Sequence, residues 1–168
     1  MIKVVTTGPE SSGKTTLAKA LAEHYQVGWI PEYARDYLND LGRPYQEKDL
    51  LQIAEGQIKR EDEVAKDKPS LLICDTSLVV IKIWSEYRYK RCHPWILAQI
   101  ERRPVDLYLL CAPDIPWEPD LLRENPADRD ELFKFYERAL AGKPNLIIQG
   151  SPLARLVQAT NAIDHLLS

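Results

Sequence analysis

VVTTGPESSGKTTL, Val4 to Leu17, is the stretch on which the reading of the whole chain turns. Gly8-Pro9-Glu10-Ser11-Ser12-Gly13-Lys14-Thr15 fits the spacing G-x-x-x-x-G-K-S/T at every fixed position, between a β-branched run and an amphipathic run. A phosphate-binding loop needs a buried strand to anchor it, glycines that let successive backbone N–H groups turn inward, and a helix whose positive end faces the anion. All three are present. The loop and its flank, Gly8, Glu10, Ser11, Ser12, Gly13, Lys14, Thr15 and Thr16, are therefore expected to cradle the phosphates of ATP. Lys14 is expected to reach the β and γ phosphates, and the Thr15 hydroxyl to become a ligand of Mg²⁺.

The 168 residues suffice for one domain with a proper core, and residues 1–168 are read as one domain. Apolar residues at 45% and charged ones at 28% are ordinary for a globular protein and do not indicate disorder. A net charge of −3 gives no electrostatic reason for a nucleic-acid or membrane partner. Cys74, Cys92 and Cys111 lack C-x-x-C spacing, which argues against a disulfide framework or a zinc site, and a lone His93 beside Cys92 reads as structural. No apolar run approaches about 18 residues and no leader precedes the first strand, so a cytoplasmic location is expected.

Working outward, Ile2 to Thr6 reads as a buried strand and Lys14 to Tyr25 as a helix. Val27 to Ile30 reads as a second strand, stopped by Pro31. Glu32-Tyr33-Ala34-Arg35-Asp36 then stands at a strand's carboxyl end, where open α/β sheets bind ligands, making Glu32, Tyr33, Arg35 and Asp36 candidates for the acceptor site. Glu47 to Lys66 is helical, with the charge run Lys59 to Glu63 read as a solvated face. Leu71 to Cys74 is a strand ending in Asp75, whose carboxylate is expected opposite Thr15 at the metal.

Leu78 to Tyr89 reads as a helix that aligns Val80, Trp84 and Tyr87, with Arg88 beside Trp84. Trp84, Tyr87, Tyr89 and Trp95 suit either stacking on a flat substrate ring or the core. Val105 to Cys111 and Asn145 to Gln149 are the last two strands. Between them, about residues 116–130, Leu122 to Arg129 reads as a lid whose Arg123 and Arg129 deliver positive charge to the moving phosphate, with Asp128 and Glu131 in a capping pattern. The final helix starts near Pro152, with Leu153, Leu156, Val157, Thr160 and Ile163 expected inward. Strand and helix alternate through five strands, which predicts a three-layer α/β fold: a parallel sheet with helices on both faces and the ligand at its carboxyl edge.

GPESSGKTTLAKALAEHY, EYARDYL, ICDTSL, HPW, DLYLLC and LRENPADR together span nearly the whole chain. They resemble the P-loop nucleoside and nucleotide kinases, and within them the kinase domain of the NadR-type enzymes, as a stand-alone AAA-like ATPase domain. The resemblance implies a P-loop NTPase fold and ATP-dependent phosphorylation of the 5′-hydroxyl of nicotinamide riboside. The family's better-known members place an aromatic residue before the Glu-Tyr pair, where this chain has Pro31, with Trp29 two positions earlier. The expected site has Lys14, Arg123 and Arg129 on the transferring phosphate and Glu32 as base, with Asp75 the rival more suited to Mg²⁺. Arg35 is expected to orient a small nucleoside, with Tyr33, Asp36, Trp84, Tyr87 and Arg88 around it. A regulatory ATPase module would use the same loop.

Overall fold

The computed structural model describes residues 1–119 and 127–168. Five strands, β1 (Ile2–Thr7), β2 (Trp29–Ile30), β3 (Leu71–Asp75), β4 (Leu107–Cys111) and β5 (Asn145–Ile148), form one sheet in the order β2-β3-β1-β4-β5, all neighbours parallel. The register pairs Thr6 with Asp75 and Thr7 with Leu110, bringing the ends of the central strands level. Among the described residues, seven helices connect or flank them: α1 (Lys14–Tyr25), α2 (Tyr33–Asp40), α3 (Glu47–Ala65), α4 (Leu78–Tyr89), α5 (Pro94–Arg102), α6 (Arg129–Leu140) and α7 (Pro152–Leu167).

The near-continuous apolar strands follow from burial on both faces. Leu72, Cys74, Val5, Tyr108 and Leu110 point to a core shared with α2 to α6. Their neighbours Leu71, Ile73, Val4, Leu107 and Leu109 point the other way, to a core shared with α1 and α7. The three-layer α/β architecture read from the sequence is the one observed. Local signals act as expected at two helix starts: Ser77 accepts the Val79 N–H, and His93 accepts the Trp95 N–H through Nδ1, so its role there is a cap. Cys74 and Cys111 are buried free thiols. Among the described residues, no helix is long and apolar enough to cross a membrane.

Four local readings change. The run Lys59 to Glu63 is not wholly solvated: Glu61 is 3% exposed and pairs with Lys3 of β1 at 2.5 Å, because the charge of a buried Lys3 has to be met beneath the sheet. On α7, Leu153 and Val157 are exposed, and the inward face carries Arg155, Ala159, Thr160 and Ile163. The helix is turned so that Arg155 meets backbone carbonyls near the sheet's carboxyl edge. At α6, Asp128 occupies the N-cap without a side-chain capping bond, since its carboxylate accepts from the Tyr87 hydroxyl at 2.8 Å. Strand β2 is limited to Trp29–Ile30, and β4 begins at Leu107 rather than Val105.

Candidate active site

The loop from Gly8 to Gly13 leaves β1 at the carboxyl edge and enters α1. Gly8 has φ +140°, and a Cβ there would lie 2.6 Å from the Cys111 carbonyl oxygen, so a side chain is excluded both by conformation and by the closeness of β4. Ser11 and Gly13 also take positive φ, 56° and 85°. Lys14 Nζ donates to the Gly8 carbonyl at 2.9 Å, laying its ammonium across the loop.

Thr15 and Asp75 meet at the tips of α1 and β3, which the β1–β3 register brings side by side. The Thr15 hydroxyl donates to Asp75 Oδ2 at 2.6 Å. Asp75 Oδ1 is buried and has no hydrogen-bond partner among the described residues. Burial raises the Asp75 pKa above the usual carboxylate value, against the Thr15 hydrogen bond and the charges of Lys14, Arg35 and Lys19. A hydroxyl and a carboxylate with one oxygen still to be satisfied are hard donors that fit Mg²⁺.

The loop forms one wall of a cleft of about 190 Å³. The wall runs from Gly8 to Thr16, including Glu10, Ser11, Ser12, Gly13, Lys14 and Thr15. Beyond it stand Glu32 and Arg35 at the start of α2, and then an apolar and aromatic chamber made by Leu38, Val80, Ile83, Trp84, Tyr87, Leu132 and Tyr136. Burial pushes the Tyr136 phenol well above its ordinary value, and the negative charges of Glu32 and Glu10 add to the effect. Tyr87 is raised to about 12, chiefly by its bond to Asp128. The far end of the cleft is thus aromatic, neutral in its phenols and edged by carboxylates.

The structure brings together the loop residues, Glu32, Arg35, Asp75, Trp84 and Tyr87. It places others elsewhere. Asp36 is exposed and paired with Arg60 at 2.8 Å, and the Tyr33 ring lies under the Arg60 guanidinium against Gly56. Arg88 lies over the Tyr45 ring, and none of these three lines the cleft. Tyr89 and Trp95 pack at the margin of the core. Arg129 donates to the carbonyls of Ser11 at 3.2 Å and Ile115 at 2.8 Å, so it ties the loop to the segment after β4. Arg123, with residues 120–126 of the expected lid, lies outside the described residues.

Leu38, Ile83, Leu132 and Tyr136 of the lining were not among the site candidates, and three supporting side chains were missed as well. Tyr45 accepts the Trp84 indole N–H at 3.0 Å and packs edge-on against that ring. Gln57, 2% exposed, accepts the Tyr33 N–H at 3.0 Å and so anchors the backbone beside Glu32. Arg155 reaches the loop from α7. The one signal for Arg155 was a guanidinium set among the apolar residues of the last helix; the other two depend on contacts distant in sequence.

A parallel sheet in this order, with a Gly-Lys-Thr loop between β1 and α1 and an Asp at the tip of β3, defines a P-loop nucleotide-binding protein. The AAA domain family matches residues 3–151, and the chain belongs to it. It is 33% identical over 131 residues to the trifunctional NAD biosynthesis/regulator protein NadR of Escherichia coli K12, covering 74% of this chain and 32% of that protein. The Salmonella typhimurium LT2 protein of the same name is 33% identical over 120 residues, 69% of this chain and 29% of its own length. The chain therefore spans about a third of these curated relatives. Among solved structures, a NadR protein in complex with NR superposes with a TM-score of 0.79 at 22% identity, over 98% of this chain and 51% of that one. A deoxyadenosine kinase from M. mycoides with bound dATP gives 0.58 at 12% identity, over 97% and 100%. The likeness to NadR, first visible in the motifs, is shown by these matches.

Proposed function

We propose that this protein is an ATP-dependent kinase that transfers the γ-phosphoryl group to the 5′-hydroxyl of nicotinamide riboside, yielding nicotinamide mononucleotide. The observation that carries the proposal is one cleft lined by two chemically different sets of residues: a phosphate loop beside Thr15 and Asp75, and an aromatic chamber with Glu32 at its approach. NadR structures in complex with NR, and with NAD and AMP-PNP, share the fold and support this reading. The pyridinium ring of the riboside is flat and cationic, and electron-rich ring faces with nearby carboxylates attract such a group. Trp84 is suited to present a ring face, because its N–H is already bonded to Tyr45.

In the mechanism, the loop amides and Lys14 bind the triphosphate, and the lysine follows the γ-phosphate as charge moves onto the leaving oxygen. Thr15 and Asp75 are the residues that would hold Mg²⁺, which when bound would supply charge neutralisation to the triphosphate. Glu32 accepts the proton of the attacking hydroxyl as the new O–P bond forms and the bond to ADP breaks. Arg35 orients the riboside. Val80, Ile83 and Leu132 line the chamber with hydrocarbon that keeps out water, the competing acceptor.

The test is ADP release by purified protein with Mg-ATP, measured against nicotinamide riboside, deoxyadenosine and other nucleosides. ADP should form in proportion to the riboside supplied, with phosphate recovered on it. Slow hydrolysis indifferent to every nucleoside would replace the proposal with a regulatory ATPase, and a clear preference for deoxyadenosine would move the acceptor.

A further inference from the structure

Arg155 is 4% exposed, yet it is the hub of the carboxyl edge. Its Nη1 donates to the Ser12 carbonyl at 2.5 Å, its Nε to the Gly150 carbonyl at 2.9 Å, and its Nη2 to the Ala112 carbonyl at 2.9 Å and to Asp114 Oδ1. Asp114 closes the ring by accepting the Gly150 N–H through Oδ2 at 2.7 Å. One guanidinium thereby joins the phosphate loop to the segment after β4 and the segment after β5. Four carbonyl and carboxylate acceptors use the planar fork in a way that an ammonium group cannot reproduce.

The peptide plane turns this anchoring into an effect on the cleft. No described peptide bond is cis, and in a trans peptide the C=O of one residue and the N–H of the next point in opposite directions. Drawing the Ser12 carbonyl back toward Arg155 therefore turns the Gly13 N–H away from α7, to the side on which Gly13 lines the cleft. Arg129 holds the preceding peptide by its Ser11 carbonyl. Gly13 serves the arrangement twice. Its φ of +85° is a glycine conformation, and a Cβ there would lie 3.1 Å from Arg155 Nη1, in tight contact with the guanidinium. The Arg155 charge is met by Asp114, so hydrogen bonding at the back of the loop is its means of action.

We propose that Arg155 is a positioning residue for nucleotide binding, fixing the phosphate loop with its amides already turned toward the triphosphate. Donors held in place before binding cost no reorganisation when the anion arrives or when charge develops on it. The proposal rests on the reading that this loop binds ATP and is independent of the acceptor.

The experiment measures the Kd for Mg-ATP by calorimetry on Arg155→Lys and Arg155→Met, with the Kd for nicotinamide riboside and the thermal midpoint on the same preparations. Mg-ATP affinity should fall by at least about tenfold in both, the lysine being no adequate substitute, while riboside affinity stays within about twofold. Arg155→Ala should regain part of its ATP affinity when methylguanidinium is added at non-denaturing concentration. An Mg-ATP Kd within about twofold of the parent, with only the thermal midpoint lowered, would leave Arg155 a purely structural residue and overturn the proposal. If these variants do not fold, Asp114→Asn carries the test, because it loosens the partner and should give a smaller loss of ATP affinity; no loss overturns the proposal. A parent protein that fails to bind Mg-ATP would refute the kinase reading itself, and that result is separate from variants that bind as well as the parent.

Discussion

Replacing Glu61 with Leu should destabilise the protein far more than the loss of one surface charge would. Glu61 is 3% exposed, pairs with Lys3 at 2.5 Å, lies 3.5 Å from Arg103, and accepts from Gln57 Nε2 at 3.3 Å. Lys3 is itself 9% exposed within β1, so removing the carboxylate leaves an ammonium under the sheet with no adequate partner. Breaking one side of such a pair costs about 3–5 kcal/mol, because the remaining charge keeps its desolvation penalty without the attraction that offset it. Against a total stability of roughly 5–15 kcal/mol, this is a third or more for an average domain. At about 2–4 °C per kcal/mol for a domain near this size, the melting midpoint should fall by about 6–20 °C. Lys3→Met in the Glu61→Leu background should recover the part of the loss due to the stranded ammonium, while Gln57 Nε2 and Arg103 still lack the carboxylate. Urea denaturation of the parent, both single variants and the double variant, followed by circular dichroism, gives the coupling energy directly. A single variant within about 1 kcal/mol of the parent, or a double variant no better than Glu61→Leu, would refute the reasoning.

Three further outcomes follow from the site and its supports. Lys14→Ala should reduce kcat by orders of magnitude with the melting curve preserved, because its bond to the Gly8 carbonyl is a minor part of the fold; an unchanged kcat would remove Lys14 from the transfer step. Tyr45→Phe should raise the acceptor KM by about twofold to tenfold and leave the KM for ATP alone, because the Trp84 indole loses its acceptor; equal changes in both would refute it. Asp49 has its pKa held well below the carboxylate range by hydrogen bonds from Arg43, against burial, and by the Gln46 N–H and Tyr37 hydroxyl. The stability this gives is complete above the unfolded value of about 4 and is lost as pH falls from there toward the depressed folded value. Between pH 7 and pH 3 the parent should therefore lose more of its thermal midpoint than Asp49→Asn, and parallel loss in the two would contradict the assignment.

The fold was legible because its signals are local. Gly8 to Thr15 specifies a loop, a strand behind it and a helix ahead of it, and both helix limits of α1 agree with the sequence reading. Strands buried on both faces read as plain apolar runs, so β3 and Asp75 at its tip were equally accessible. Charged residues were harder, because burial depends on a partner that the local pattern does not reveal. Glu61 lies in a run of five charged residues and looks solvated until Lys3, 58 positions away, is placed beneath the sheet. Asp128 has the form of a cap, but Tyr87, 41 positions earlier, competes for its carboxylate.

Arg155 shows how the same limitation affects the site. Helical periodicity assigns the inward arc of α7 to its apolar residues, and Leu153 and Val157 are the obvious choices. Yet the carbonyls of Ser12, Ala112 and Gly150 converge on the opposite arc and need donors there, so the helix presents a guanidinium and leaves Leu153 72% exposed. The loop motif specifies which residues can meet a phosphate, but it leaves open what holds their amides in place. That support comes from α7, through a residue whose partners, Asp114 apart, are backbone atoms and therefore leave no motif. Phosphate-binding geometry in this protein is accordingly a property of the finished fold, with Gly8 pressed against β4 on one side and Gly13 against Arg155 on the other.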